Sequence, residues 1–488
     1  MKPGNRSRRW EGAGMGGQDK FTEAVRSTVK RHAMFAPGQS ILAGVSGGLD
    51  SVVLLAVLTE FCASMGLFVH VCYVHHGLRP QADEDERFVA ALAAKWQHSF
   101  SARRVSVPAA RSSGRSLEEA ARTLRYEALA QAARAAGAER IAVAHHRDDQ
   151  VETVLMRFLT GAGPDGLAGM PAVHGSIVRP LIDRSRAEIT AFARHRGLEF
   201  REDASNRDIR LLRNRIRHRL VPDLEAEYNP RIRQAIWRLS RLAADETSFL
   251  DHLAAEAEAV AFASFDLFRA LPLVSLKLPE LQKLPAALQR RIVRRVCWRV
   301  LGEQTAAVRL GYDEAEAVRD LIKTETELRA VDLPGGLRVR RTVDRLHCFA
   351  RWMEEDPGFS GYLPVPGTLS IGRAGIKLQA DYAPPDRGPD GGLWRIALSG
   401  VELGPEDVLT VDNPRPEDRL ALCRGAEPRK LRNLMSERQI PEPLRGLLPV
   451  IRLAERPVAV IGMGADQSRD PGRNPRGRAV VIAAVPIC

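Results

Sequence analysis

The chain has 488 residues, with 72 Lys+Arg against 60 Asp+Glu, a formal charge of +12 and 44% hydrophobic residues. This balance predicts two or three folded domains and a polyanionic partner; no apolar run nears the ~20 residues of a membrane span. Six scattered cysteines without a Cys-x-x-Cys pair argue against a zinc ribbon, an iron–sulfur site or a disulfide framework, and fit a reducing cytoplasm. Residues 1–19 form a basic, glycine-rich arm lacking the apolar middle of a signal peptide. Between 41 and about 195, apolar runs at 41–45, 67–74, 100–107 and 141–144 alternate with helical patterns at 51–65, 83–96, 116–137 and 149–159. Such alternation predicts a Rossmann-like α/β domain, a parallel sheet with helices on both faces and ligands beyond the carboxyl ends of its strands. From 229 the pattern turns mainly helical, with Arg290-Arg291 and Arg294-Arg295 on one long helix. Residues 311–351 predict a helix and then a hairpin turned by Leu333-Pro334-Gly335-Gly336-Leu337. A Pro/Gly/Asp-rich stretch at 381–392 predicts a linker, and short strands around a helical segment at 428–438 predict a small α+β terminal domain. The expected limits are an arm at 1–19, a catalytic domain at 20–228, a helical middle at 229–380 and a terminal domain at 393–488.

The most informative stretch is Ser46-Gly47-Gly48-Leu49-Asp50-Ser51, which joins a buried strand to an apolar helix. Two glycines let the backbone bend toward a ligand, and the unpaired amides of the following helix favour an oxyanion such as phosphate. Asp50 beside a phosphate implies an intervening cation, Mg²⁺. The Walker lysine is absent, so this is not an ordinary P-loop. A plain strand-to-helix connector is the alternative. The hexapeptide resembles the pyrophosphate-binding loop of N-type ATP pyrophosphatases, which split ATP between its α and β phosphates.

A second constellation, His145-His146-Arg147-Asp148-Asp149-Gln150-Val151-Glu152, starts at a strand end and opens a helix. Asp149 and Glu152 are three apart and share one helical face. Paired carboxylates and imidazoles there can bind metal, steer an ammonium group or accept a proton; alternatively Asp148 is an N-cap and the others serve the helix dipole. The glycine-rich 161–170 run reads as a substrate-shaped loop or a connector. Arg213-Asn214-Arg215-Ile216-Arg217-His218 reads as a phosphate-contacting strip or a solvated helix face.

In chain order, the glycine bend, Val74-His75-His76-Gly77-Leu78-Arg79, Ser116-Leu117-Glu118-Glu119-Ala120-Ala121-Arg122, the His145 run, the 161–170 loop and the Arg213 run together resemble bacterial tRNA(Ile)-lysidine synthases. Asp412-Asn413-Pro414-Arg415-Pro416-Glu417-Asp418-Arg419 and Arg429-Lys430-Leu431 are similar to that family's terminal tRNA-binding domain. Leu211, where an aromatic is expected, and His75 depart from the pattern. The resemblance implies a two-step reaction at the wobble cytidine of isoleucine tRNA with a CAU anticodon. ATP adenylates the cytosine oxygen with loss of pyrophosphate; free L-lysine then displaces AMP. It implies ATP binding by Ser46, Gly47, Gly48, Leu49, Asp50 and Ser51, with Asp50 on Mg²⁺. His145, Asp149 and Glu152 match activation and lysine-recognition positions, Asp149 and Glu152 binding the lysine. Arg122 or Arg125 would face phosphate or cytosine. Arg213, Arg215, Arg217, Arg415, Arg429 and Lys430 would contact the tRNA. A homodimer stays open. The competing class is a tRNA-thiolating enzyme on the same scaffold, which needs reactive or cluster-bound cysteines.

Overall fold

A computed structural model describes residues 20–75, 82–105, 117–201, 211–263, 271–302, 308, 310–324, 329–355, 358–383, 394–398, 408–423, 426–467 and 479–486. The expected arm, His76 to Arg79, Ser116, the 202–210 run and most of the expected linker lie outside these residues. The chain divides into two compact units, Met1–Ser248 and Phe249–Cys488.

The first unit opens with helix α1 (Lys20–Arg31), which the sequence reading did not anticipate. The alternation then runs β1 (Ser40–Gly44), α2 (Leu49–Met65), β2 (Phe68–His75), α3 (Ala82–Lys95), β3 (Ser99–Arg104), α4 (Leu117–Ala135), β4 (Arg140–Ala142) and α5 (Arg147–Leu159). A short helix α6 (Pro164–Leu167), strands β5 (Val173–His174) and β6 (Ile177–Val178), and helix α7 (Arg186–His195) follow. The sheet order is β3-β2-β1-β4-β6-β5. All its pairings are parallel except the β5–β6 edge hairpin.

That order has a physical consequence. The chain leaves β1 toward β2 on one side, while β4 continues the sheet on the other. Their carboxyl ends therefore diverge and open a crevice at the switch point. Helix α2 is central: Val52, Val53, Leu54, Leu55, Val57, Leu58 and Phe61 are all buried, so it is apolar on every side, as a core helix is. Deleting one of these leucines costs about 2–5 kcal/mol. The helix is thus a rigid post whose amino end carries the glycine bend.

Further on, α8 (Leu212–Arg215), a π turn (Ile216–Leu220) and α9 (Val221–Glu227) form one helical run before the long α10 (Ile232–Ala261). Pro222 explains the π turn. It offers no N–H and its ring crowds the carbonyl four residues back, so the preceding turn widens. The N–H of Val221 accordingly donates to the oxygen of Ile216, five residues earlier.

In the second unit the expected helices Ala286–Leu301 and Tyr312–Lys323 are present. They pack on a five-stranded antiparallel sheet that includes the hairpin of Ala330–Leu333 and Leu337–Arg341, turned where the Pro-Gly-Gly was read. The carboxyl-terminal part holds a five-stranded and a four-stranded sheet plus helix Leu431–Glu437. Strands from both sides of the expected linker share these sheets: Ser360–Leu363 pairs with Leu409–Asp412, and Ile376–Ala383 pairs with Ala479–Pro486.

Candidate active site

The glycine bend leaves β1 and enters α2 without a side-chain cap. Gly47 has φ +84°, a left-handed conformation that glycine adopts freely. A Cβ there would also meet Phe88 at 3.3 Å and Val89 at 3.4 Å, so the turn presses its backbone against α3. Gly48 is the extended N-cap residue of α2 and no side chain caps the helix. The serines brace the bend: Ser46 N–H donates to Ser51 Oγ at 3.2 Å, and Ser51 Oγ donates to the Gly48 oxygen at 2.8 Å. First-turn amides and a positive helix end thus face the crevice, a ready seat for phosphate.

Asp50 projects from the first turn of α2. Its Oδ2 accepts from Arg186, and its Oδ1 is buried without a hydrogen-bond partner. Burial pushes its carboxyl above the usual range, while His146 and Arg186 pull it down. An oxygen donor aimed at a phosphate seat fits Mg²⁺, which takes one or two carboxylates together with substrate phosphates. Asp50 would hold that ion, which would supply charge to stabilise a departing phosphate.

Across the crevice α5 begins. The residue that caps it is His146, not Asp148, which corrects the capping alternative. His146 has an extended backbone, its Nδ1 accepts from the Asp149 N–H at 3.4 Å, and Asp149 Oδ2 accepts from the His146 N–H at 3.0 Å. Asp148 serves instead as a clasp, accepting from the Arg186 N–H at 2.8 Å and from Arg233 Nη1 at 2.9 Å. With Nδ1 accepting, Nε2 is the ring nitrogen left to donate. That nitrogen lies 3.7 Å from Asp50 Oδ1 and 3.5 Å from Asp149 Oδ2, and the side chain is 3% exposed. His146 therefore joins the phosphate seat to the second constellation.

Asp149 and Glu152 share one face of α5, as their spacing requires, and two arginines meet them there. Arg213 donates to Asp149 Oδ1 at 2.7 Å and to Glu152 Oε2 at 2.8 Å; Arg217 donates to Asp149 Oδ1 at 3.2 Å and to Glu152 Oε1 at 2.5 Å. The result is a box of two carboxylates and two guanidiniums in which Glu152 is 1% exposed. Burial alone would push the Asp149 carboxyl up, but His146, Arg213 and His145 outweigh it and hold the group well below the ordinary carboxylate range. Burial likewise opposes the charge on Arg217, and its bonds to Glu152 more than restore it.

His145 stands beside this box with Nδ1 buried and unpaired. Burial drives its ring well below the ordinary histidine pKa; Arg125, Arg179 and Arg122 add to the effect against Asp149. It is a neutral imidazole at physiological pH. Arg122 and Arg125 flank the Tyr126 ring at 5.3 and 5.5 Å, and burial also lowers the Arg125 guanidinium. Both arginines bear on His145, Arg125 ahead of Arg122.

The structure thus gathers Ser46, Gly47, Gly48, Leu49, Asp50 and Ser51 at one end of the crevice and links them through His146 to Asp149 and Glu152. Of the three neighbouring arginines expected to meet RNA, Arg213 and Arg217 face these acids, and Arg215 is exposed with His218 and Arg219. In the second unit Arg415 is bound to Asp412 at 2.6 Å and Glu455 at 2.7 Å, Arg429 is bound to Glu437, and Lys430 is exposed. The arginine-rich helix Ala286–Leu301 is also internally matched: Arg290 pairs with Glu316, Arg291 with Asp251, and Arg295 and Arg299 with Glu258. Sequence reasoning named His146 among the paired imidazoles without giving it a role of its own, and missed Arg186. The signal for Arg186 was present: Ser185 and Glu188 form a capping box that marks the amino end of a helix just beyond β6.

Residues 18–224 match the PP-loop domain family, and residues 409–479 match the TilS substrate C-terminal domain family. The tRNA(Ile)-lysidine synthase of Geobacter sulfurreducens is 33% identical over 479 residues, covering 95% of this chain and 97% of the relative. The enzyme of the same name from Symbiobacterium thermophilum is 32% identical, covering 93% of this chain and 96% of its own. That from Geobacillus kaustophilus is 33% identical, covering 89% and 92%. With a third of its residues shared over nearly its whole length, the chain belongs to the tRNA(Ile)-lysidine synthases, a family of ligases.

Proposed function

We propose that this chain joins free L-lysine to the wobble cytidine of isoleucine tRNA, by way of an adenylated cytosine, with release of pyrophosphate and AMP. The observation that carries this reading is the pairing of an uncapped phosphate seat with a carboxylate pair braced by two arginines, joined through one buried imidazole. Ser46 to Ser51 hold the triphosphate, and Asp50 would hold the Mg²⁺ that offsets its charge. Developing charge on the leaving pyrophosphate meets backbone amides already oriented toward it, which need no reorganisation. Arg125 and Arg122 face the reacting phosphate or the cytosine ring.

Lysine poses the harder problem. With a pKa of about 10.4, roughly one amine in 10³ is free base at neutral pH, equivalent to about 4–5 kcal/mol. Bare carboxylates would bind the ammonium and raise that pKa further, so recognition and activation conflict. Arg213 and Arg217 soften the conflict. They already neutralise much of the Asp149 and Glu152 charge, so a lysine amine placed there feels a weaker anionic field. The target base has to be unstacked into the crevice, as in other base-modifying enzymes.

Thiolation on the same scaffold is disfavoured by the state of the thiols. Burial raises the pKa of both Cys62 and Cys72, the opposite of what a nucleophilic cysteine needs. The deciding experiment measures pyrophosphate release from ATP with and without isoleucine tRNA, followed by incorporation of labelled lysine. Release that depends on this tRNA and transfer of the label support the reading. Transfer of sulfur, or ATP cleavage indifferent to the tRNA, refutes it.

A further inference from the structure

Arg186 is the residue of this site that neither spacing nor motif accounts for. Its backbone is fixed: it is the first residue of α7, its N–H donates to Asp148 Oδ2 at 2.8 Å, and its carbonyl accepts from Thr190 Oγ1 at 2.8 Å. Its side chain is not enclosed, being 47% exposed, and its guanidinium lies on Asp50, one residue inside the amino end of α2. Other guanidiniums of this region are held elsewhere: Arg147 on the Asp183 oxygen, Arg184 on Glu188, Arg201 on Glu84 and Asp85, Arg233 on Asp148 and Glu225. Arg186 thus combines an anchored backbone, an accessible side chain and a charge beside the phosphate seat.

We propose that Arg186 is a pyrophosphate-binding arginine of the ATP site, resting on Asp50 until the triphosphate arrives. This rests on the ATP-cleaving function proposed above. Asp50 has one buried oxygen without a hydrogen bond and one covered by Arg186. The Asp50 carboxylate would hold a divalent cation only by giving up the guanidinium, which a cation's charge would repel. Phosphate oxygens seated on the uncapped α2 amides would offer the displaced guanidinium new acceptors, to which a planar fork binds in bidentate fashion. Because the Arg186 backbone is pinned through Asp148 to α5, the exchange needs rotation of the side chain alone.

The test uses the full chain with Arg186→Gln and Arg186→Lys, measuring equilibrium binding of ATP, AMP and inorganic pyrophosphate at several Mg²⁺ concentrations, without tRNA or lysine. The expected result for Arg186→Gln is a roughly 10- to 100-fold loss of ATP and pyrophosphate affinity, unchanged AMP affinity, and partial recovery in Arg186→Lys. Equal weakening of ATP and AMP would make Arg186 a structural brace and overturn the proposal. Unchanged pyrophosphate affinity with a lowered Mg²⁺ requirement would make it a counter-ion to Asp50 alone, which also overturns it. Thermal unfolding of each variant separates either result from misfolding. A wild-type chain that binds no ATP would instead sink the proposed function.

Discussion

The glycine bend and the carboxylate–guanidinium box lie in one crevice but are built in opposite ways. The bend is local: six consecutive residues, a left-handed Gly47 and an uncapped helix end make an anion seat from backbone alone. The box is assembled from side chains 61 to 68 positions apart, brought together by packing of α5 against the widened turn before Pro222. A backbone seat tolerates much variation around it. A box of buried charges stands or falls with each member, because an unpaired charge in the interior is costly.

The comparison can be broken at its most sensitive point by Asp50→Ala. Removing the carboxylate that would hold Mg²⁺ should lower pyrophosphate release by a factor on the order of 10²–10³, with thermal stability nearly unchanged. A variant with near-normal release removes Asp50 from the chemistry. Glu152→Gln should behave in the reverse manner. It leaves Arg213 and Arg217 short of a partner, so denaturant unfolding should show a loss of about 2–3 kcal/mol, less than for fully buried pairs because both arginines keep some contact with water. ATP affinity should persist while the KM for lysine rises; loss of ATP binding in a folded variant would show that the two regions are not separable.

A smaller effect concerns pH. The folded chain holds His145 well below its ordinary pKa, so the unfolded chain binds a proton that the folded chain refuses. Stability is therefore fully present above about pH 6.5 and declines as pH falls below it, by at most about 1.4 kcal/mol per pH unit from this group. His145→Gln should flatten that part of the wild-type curve, and an unchanged slope would assign it to other groups. Least of all, Arg215→Ala should leave ATP cleavage intact and reduce the salt slope of tRNA binding by about one. An unchanged slope would remove Arg215 from the RNA surface.

Legibility followed the same division. The strands β1 to β4 and helices α2 to α5 were readable because apolar periodicity and flanking glycines are written in adjacent residues. The phosphate seat was readable for the same reason. His146 was not told apart from His145 because adjacent histidines look alike in sequence; only the capping geometry gives one of them two carboxylates to span. The partners of Arg213 and Arg217, and the acids that neutralise the Ala286–Leu301 helix, were invisible because tertiary packing chooses them. A run of arginines in sequence looks like an RNA-binding strip whether or not acids from other elements meet it. Helix α1 was missed because no element was assigned between the arm and the first strand, although Val25 and Val29 are buried one turn apart.

On the function proposed above, the shared imidazole of His146 would make the cation and the lysine thermodynamic acquaintances. With its Nε2 between Asp50 and Asp149, any cation that settles on the first carboxylate alters the field at the second. Linkage is reciprocal: whatever magnesium does to the hold on lysine, lysine must do to the hold on magnesium, by the same factor. In the reaction proposed above, that single ring would let the chain sense which ligand has arrived first.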